Sequence, residues 1–150
     1  MASGEQPLLV LHCDLPLLSA DDISAVLASQ RALDGLVVGC DRHGSGTNLL
    51  AFGASTAPHF CFGANSCAGH VASAQGAGFP AQILQRSGIA VDVDEPADLK
   101  CVMDRLHFTP TSNTAALLHN TELGGRIKLA QATMTGSSDA VDDVNRGLLN

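Results

Sequence analysis

At 150 residues the chain can form one domain with a hydrophobic core and is too short for two of ordinary size. A formal net charge of -7 excludes a general binder of phosphate backbones, which relies on clustered Lys and Arg, although a metal ion can still bring a nucleotide to an acidic surface. Trp and Tyr are absent and Phe numbers five, so the core must be built from Leu, Val, Ile and Ala, which suits parallel strands covered on both faces by small-residue helices.

In chain order, Leu8 to Leu11 is a continuous apolar run that predicts a strand buried on both faces. It leads into His12-Cys13-Asp14-Leu15-Pro16, with a carboxylate at the strand's end. Ser19 with Asp22 three residues later predicts a capped helix carrying Ile23, Val26, Leu27 and Leu33. Leu36 to Val38 and Leu49 to Phe52 predict two more strands, separated by a polar, glycine-rich loop from Gly39 to Asn48. A small-residue helix is expected from Ser66 until Gly76 or Gly78 stops it. Ile83-Leu84 reads as a short strand, and the alternation over Ile89 to Asp94 as a half-exposed one. Pro96 suits the first position of a helix reaching about Leu106. Beyond it, Asn113 is a candidate cap for a helix through Leu118, Ile127 to Ala132 suggests another, and Gly136 to Asn150 reads as a mobile end.

The expected organisation is a domain over 8–106 and a helical or partly disordered extension over 107–150. Cys13, Cys40, Cys61, Cys67 and Cys101 are odd in number and lack CxxC spacing, which predicts free thiols in a reducing cytoplasm. No apolar run approaches a membrane span, and the first residues lack a signal-peptide pattern. The chain is therefore expected to be soluble and cytoplasmic, with no nucleic-acid or membrane partner.

In such sheets ligands bind beyond the carboxyl ends of strands, where the notable polar residues fall. Asp14 is either a Mg²⁺ ligand or a turn residue satisfying its own backbone. Asp92, Asp94, Glu95 and Asp98 either include a second ligand or merely cap the following helix. Arg42, Thr47 and Asn48 surround glycines that let backbone approach an anion. Gly63 and Ser66 precede a helix whose N-terminus is either an anion site or an ordinary serine cap. His59, Cys61, Cys67 and His70 offer zinc-ligand types without zinc-ligand spacing, and His70 reads as a packed or capping residue.

Taken in order, Asp14-Leu15-Pro16, Asp41 to Asn48, Phe62-Gly63 with Ser66 and His70, and Asp92 to Pro96 with Asp98-Leu99 resemble the 2-phospho-L-lactate guanylyltransferase family, which includes phosphoenolpyruvate and 3-phosphoglycerate guanylyltransferases. The resemblance covers about residues 8 to 99, and Ser45 and Glu95 depart from it where Thr is usual. It implies a nucleotide-diphospho-sugar transferase fold, Rossmann-like and three-layered. It also implies transfer of GMP from GTP to a small phosphorylated acid, with pyrophosphate released, in biosynthesis of the deazaflavin coenzyme F-420. By the same resemblance, Asp14 and Asp94 (or Asp92) would hold Mg²⁺ and serve catalysis. Thr47, Gly63 and Ser66 would bind the acid's carboxylate or phosphate, with Arg42 and Asn48 beside them. Family members begin with a strand and a glycine- and lysine-bearing loop for the nucleotide, and Met1 to Pro7 offers no counterpart. That predicts a truncated reading, a partner that supplies the loop, or a noncatalytic binding module that keeps the acid site. It also predicts low solubility or self-association as a homo-oligomer.

Overall fold

The computed structural model describes residues 6–106, 112–130 and 132–133. Its chain divides into two compact units between Asp94 and Glu95.

The first unit is a mixed four-stranded sheet in the order β1-β3-β2-β4, formed by β1 (Leu8–Leu11), β2 (Leu36–Cys40), β3 (Thr47–Phe52) and β4 (Ala81–Ile83). β3 runs antiparallel to both of its neighbours, and only β2 and β4 pair in parallel. The expectation of parallel strands is corrected here. Asp41 to Gly46 is too short a connection to cross over the sheet, and a parallel return needs about a dozen residues or more. The β2–β3 pair is therefore a hairpin, with a register shift at Gly39/Cys40.

Alternation along the strands sorts the core onto two faces. Leu36, Val38, Cys40, Leu50 and Phe52 pack with Cys67 and Ala74 of α2 (Ser66–Gly76). Val37, Leu49 and Ala51 pack on the other face with Val26 of α1 (Ala20–Leu33) and Ile89 of α3 (Ser87–Ala90). Helices on both faces of one sheet make the three-layer α/β arrangement that the sequence implies.

Local chemistry explains the helix starts. The Ser19 side chain accepts from the Asp22 amide, and Asp22 accepts from the Ser19 amide, which makes a full capping box at α1. Burial alone would raise the Asp22 carboxyl, but hydrogen bonds from Ser19 and the Arg86 guanidinium outweigh it and hold the pKa below the usual value. Asp34 closes the same helix in the left-handed region at φ 51°.

Three expectations change. β1 is an edge strand with Leu8 half-exposed and Leu11 nearly so, because nothing among the described residues pairs with its outer side. The strand expected over Ile89 to Asp94 is instead the end of α3 followed by an extended stretch, with Ile89 driven into the core above Gly39. Cys40 and Cys67 are not free thiols but a disulfide, with Cα atoms 5.9 Å apart; Cys13, Cys61 and Cys101 are free.

The second unit is helical. It holds α4 (Pro96–Leu106), α5 (Asn113–Asn120) and a further helical run over 122–130. Pro96 does open α4, while Ser112 rather than Asn113 caps α5, its hydroxyl accepting from the Ala115 amide. Val102, Met103 and Leu106 are buried on α4, as are Ala115 and Leu118 on α5. The expected end from Gly136 to Asn150 lies outside the described residues. Among the described residues no helix is long and apolar enough to cross a membrane.

Candidate functional site

β1 and β2 both run antiparallel to β3, so their carboxyl ends meet the start of β3 at one end of the sheet. Asp14 follows β1, Asp41 and Arg42 follow β2, and Thr47 and Asn48 begin β3. Topology thus brings together residues separated by more than thirty positions.

Backbone hydrogen bonds fix the arrangement. The His12 amide donates to the Asn48 carbonyl at 3.0 Å, which aligns the Asp14 turn with the start of β3. The Val93 amide donates to the Asp14 carbonyl at 3.2 Å, so Asp92 and Asp94 flank the residue that touches Asp14. The Cys67 amide donates to the Ser45 carbonyl at 3.0 Å, and this bond and the Cys40–Cys67 disulfide hold the start of α2 against the 41–46 loop.

That loop is built around Asp41. Its carboxylate accepts from the Ser45 amide at 2.8 Å and from the Ser45 hydroxyl at 3.3 Å. Burial would raise the Asp41 carboxyl, yet the bonds from Ser45 and Gly46 prevail and hold it below the usual range. Gly44 adopts φ +72°, which suits a residue without a Cβ. A Cβ on Gly46 would lie 3.0 Å from an Asp41 oxygen, so a larger residue there would press on the carboxylate that organises the loop.

The turn before α2 holds two left-handed residues, Gly63 at φ +119° and Asn65 at φ 58°. Nothing lies within 4 Å of where a Gly63 Cβ would stand, so the space beside it is open. The Ser66 amide is taken up by the Gly63 carbonyl at 3.1 Å, and Asn65 caps the helix without a side-chain bond. Ser66 itself is buried.

Thr47 is buried, and its hydroxyl lies 3.0 Å from His70 Nδ1. Asn48 is also buried, and its amide donates to the Ile89 carbonyl at 2.9 Å, which ties β3 to α3. Arg42 is exposed beside this edge, its Nε donating to His43 Nε2 at 3.0 Å. Burial holds the His70 imidazole below the usual histidine range; the Ser66 carbonyl opposes this and nearby His59 adds to it. Both His70 nitrogens are engaged within the protein and Cys67 is bonded to Cys40, so the zinc-type residues do not assemble into a site.

Among the described residues no three His, Cys, Asp or Glu side chains gather as a metal-binding group. Mg²⁺ asks for less, since it commonly takes one or two carboxylates and completes its shell with water and substrate phosphates. Asp14 fits that demand. Its Oδ1 is shut away from solvent and accepts no hydrogen bond among the described residues, which leaves an acceptor that a cation would satisfy. Asp98 belongs to the second unit, where it is buried and accepts from the Glu95 amide at 2.8 Å, the bland capping role.

Sequence reasoning singled out the turn residues but read His70 only as packed or capping and Cys40 only as a free thiol. The position of His70 four residues after Ser66, on one helix face, was the available signal for the first. For Cys40 there was none.

A sheet covered on both faces by helices, with polar turns at one end, is a three-layer α/β fold. The same fold is seen in a protein from Desulfovibrio desulfuricans G20 described as a nucleotide-diphospho-sugar transferase, which superposes with a TM-score of 0.67 at 20% identity, over 84% of this chain and 55% of its own. The family model described as guanylyl transferase CofC like matches residues 1–124, and the chain belongs to that family. It is similar to a phosphoenolpyruvate guanylyltransferase of Sphaerobacter thermophilus, 40% identical over 97 residues, or 65% of this chain and 46% of the relative. It is also similar to a 3-phospho-D-glycerate guanylyltransferase of Phenylobacterium zucineum, 36% identical over 65% of this chain and 45% of the relative. The chain spans about half the length of these curated relatives.

Proposed function

We propose that this chain carries the acid-binding and metal-binding part of a guanylyltransferase, which transfers GMP from GTP to a small phosphorylated carboxylic acid. The observation that carries the reading is the convergence of Asp14, Asp92 and Asp94, Thr47, and the Gly63–Ser66 turn at one end of the sheet, in a chain of this family.

Each part has a task. The open space beside Gly63 admits an anionic group, and the first turn of α2 favours negative charge there through its aligned peptide dipoles. Thr47 and Ser66 add hydroxyls, and Arg42 adds a planar donor at the rim. Held in this way, a phosphate oxygen of the acid would attack the α-phosphorus of GTP. A new phosphorus–oxygen bond forms as the α–β bond breaks, and pyrophosphate departs with the bonding electron pair. Asp14 with Asp94 or Asp92 would hold Mg²⁺, which when bound supplies charge neutralisation for the phosphates. Such transfer needs little covalent help from protein side chains, so positioning groups suffice.

Phospholactate, phosphoenolpyruvate and 3-phosphoglycerate all pair a carboxylate with a phosphate and are the candidate acids. The product would be a guanylylated acid, and a role in deazaflavin coenzyme biosynthesis in the cytoplasm goes with this reading. The test is pyrophosphate release from GTP with Mg²⁺ and each acid in turn, alongside direct binding of each acid. Release or binding that depends on one acid supports the reading. If none of the three acids binds or stimulates release, the reading fails.

A further inference from the structure

His70 is fully buried on α2, and neither the metal set nor the acid set uses it. Its Nε2 lies 3.1 Å from the Cys61 amide, and its Nδ1 lies 3.0 Å from Thr47 Oγ1. A backbone amide can only donate, so Nε2 must be the unprotonated nitrogen and Nδ1 must carry the hydrogen. Thr47 Oγ1, 3.0 Å away, then accepts from Nδ1–H, with the Ser66 carbonyl as a second acceptor beside the ring. The Thr47 hydroxyl hydrogen remains to be directed at another acceptor.

One ring therefore holds the start of β3, the turn that carries Gly63, and its own helix in a single register. Phe62 packs edge-on against it with centroids 5.0 Å apart, covering the ring beside the open space at Gly63. Any satisfied core histidine engages both ring nitrogens, so what distinguishes this one is where its partners lie. Here both partners adjoin the proposed acid site. Thr47 is one of its residues, and Cys61 lies two positions before Gly63.

We infer that His70 is a positioning residue for acid binding, a neutral Nδ1–H imidazole that turns the Thr47 hydroxyl hydrogen toward the acid and pins the Gly63 turn through Cys61. The inference rests on the acid site proposed above. It assigns His70 orientation rather than charge, since the ring cannot accept a second proton without opposing the Cys61 amide.

The two bonds can be separated. His70→Asn places an amide nitrogen near the Nδ1 position and keeps the donor to Thr47, while His70→Leu keeps neither bond. With phosphoenolpyruvate and Mg²⁺ as the probe, His70→Leu should weaken acid binding about tenfold or more, and His70→Asn should recover part of that loss. In a Thr47→Val background His70→Leu should cost less than in the parent, because the hydroxyl it orients is gone and only the bond to Cys61 remains to be lost. Nitrogen-15 spectra of the unsubstituted protein supply a measurement that survives a variant's failure to fold. They should show the Nδ1–H tautomer, with the His70 resonances moving when phosphoenolpyruvate is added. An Nε2–H tautomer, resonances unmoved by bound acid, or a His70→Leu variant that binds as well as the parent would each overturn the role of His70. Failure of the unsubstituted protein to bind any of the three acids would instead overturn the acid site itself.

Discussion

Replacing Asp14 by Asn should stabilise the protein without Mg²⁺ and destabilise it, relative to the parent, with Mg²⁺. The reasoning starts from Oδ1, which is buried and accepts no hydrogen bond among the described residues. An unsatisfied buried acceptor costs about 1–3 kcal/mol, and the lower end applies because the residue as a whole is only half-buried. Asn keeps the shape and still leaves a polar atom without a partner, but it removes the charge, whose burial costs more than that of a neutral group, so a gain of about 1 kcal/mol is expected, or roughly 4 °C in Tm for a domain of this size. The backbone bond from Val93 to the Asp14 carbonyl is unchanged by the substitution. A cation at ten times its Kd would stabilise the parent by about 1.4 kcal/mol through mass action and leave the Asn variant unmoved. The two stabilities should therefore cross as Mg²⁺ is added, which urea titrations at several Mg²⁺ concentrations would show. A variant that is weaker in Mg²⁺-free buffer, or one that responds to Mg²⁺ as the parent does, would refute the reasoning. The first result would also restore the plain turn reading of Asp14.

Further outcomes follow from single contacts. Gly63→Ala should cost about 1–2 kcal/mol of stability, because φ +119° is hostile to a Cβ although the space is empty; an unfolding midpoint equal to the parent's would contradict this. Thiol titration of the unreduced, denatured protein should find the three free cysteines, Cys13, Cys61 and Cys101, and reduction should expose Cys40 and Cys67 as well. Because the disulfide spans 27 positions, reduction should lower stability by about 2–4 kcal/mol. His70 has a depressed pKa in the folded state, so the unfolded chain takes up its proton first as pH falls. Its contribution should be complete above the ordinary value of 6.5 and decline below it, and a denaturation midpoint that rises between pH 7.5 and 5.5 would contradict that sign.

Much of the fold was legible where the signal is local. The Ser19–Asp22 capping box, the helix from Ser66 and the proline at the start of α4 are each set by residues within one turn. What was hidden depends on contacts far apart in sequence. The Leu8 to Leu11 run does not say whether a strand is central or at an edge, and here it is an edge. The alternation over Ile89 to Asp94 fits a strand, but Ile89 is set by its contact over Gly39, fifty positions earlier. The Cys40–Cys67 pairing follows from the meeting of a strand end with a helix start, which cysteine spacing does not encode. By contrast, the direction of β3 could have been read from the short connection before it.

At the candidate site the sequence marked the polar turns but not how they are held. Asp14 and the Asp92 to Asp94 stretch are joined by one backbone bond from Val93, a partner that side-chain reasoning passes over. That bond sets Asp92 and Asp94 on either side of the contact and does not choose between them. Asn48, expected beside the substrate, has its amide turned to the Ile89 carbonyl. His70 was read as packed or capping, and its two bonds to Thr47 and Cys61 became visible only with the turn folded over it.

The most direct measurement is isothermal titration of the protein with phosphoenolpyruvate in the presence of Mg²⁺ and without GTP, repeated with phospholactate and 3-phosphoglycerate. Saturable one-to-one binding of at least one acid, weakened in Thr47→Val, is the result predicted for an acid site at this end of the sheet. No heat with any of the three, from protein that unfolds cooperatively, would contradict it.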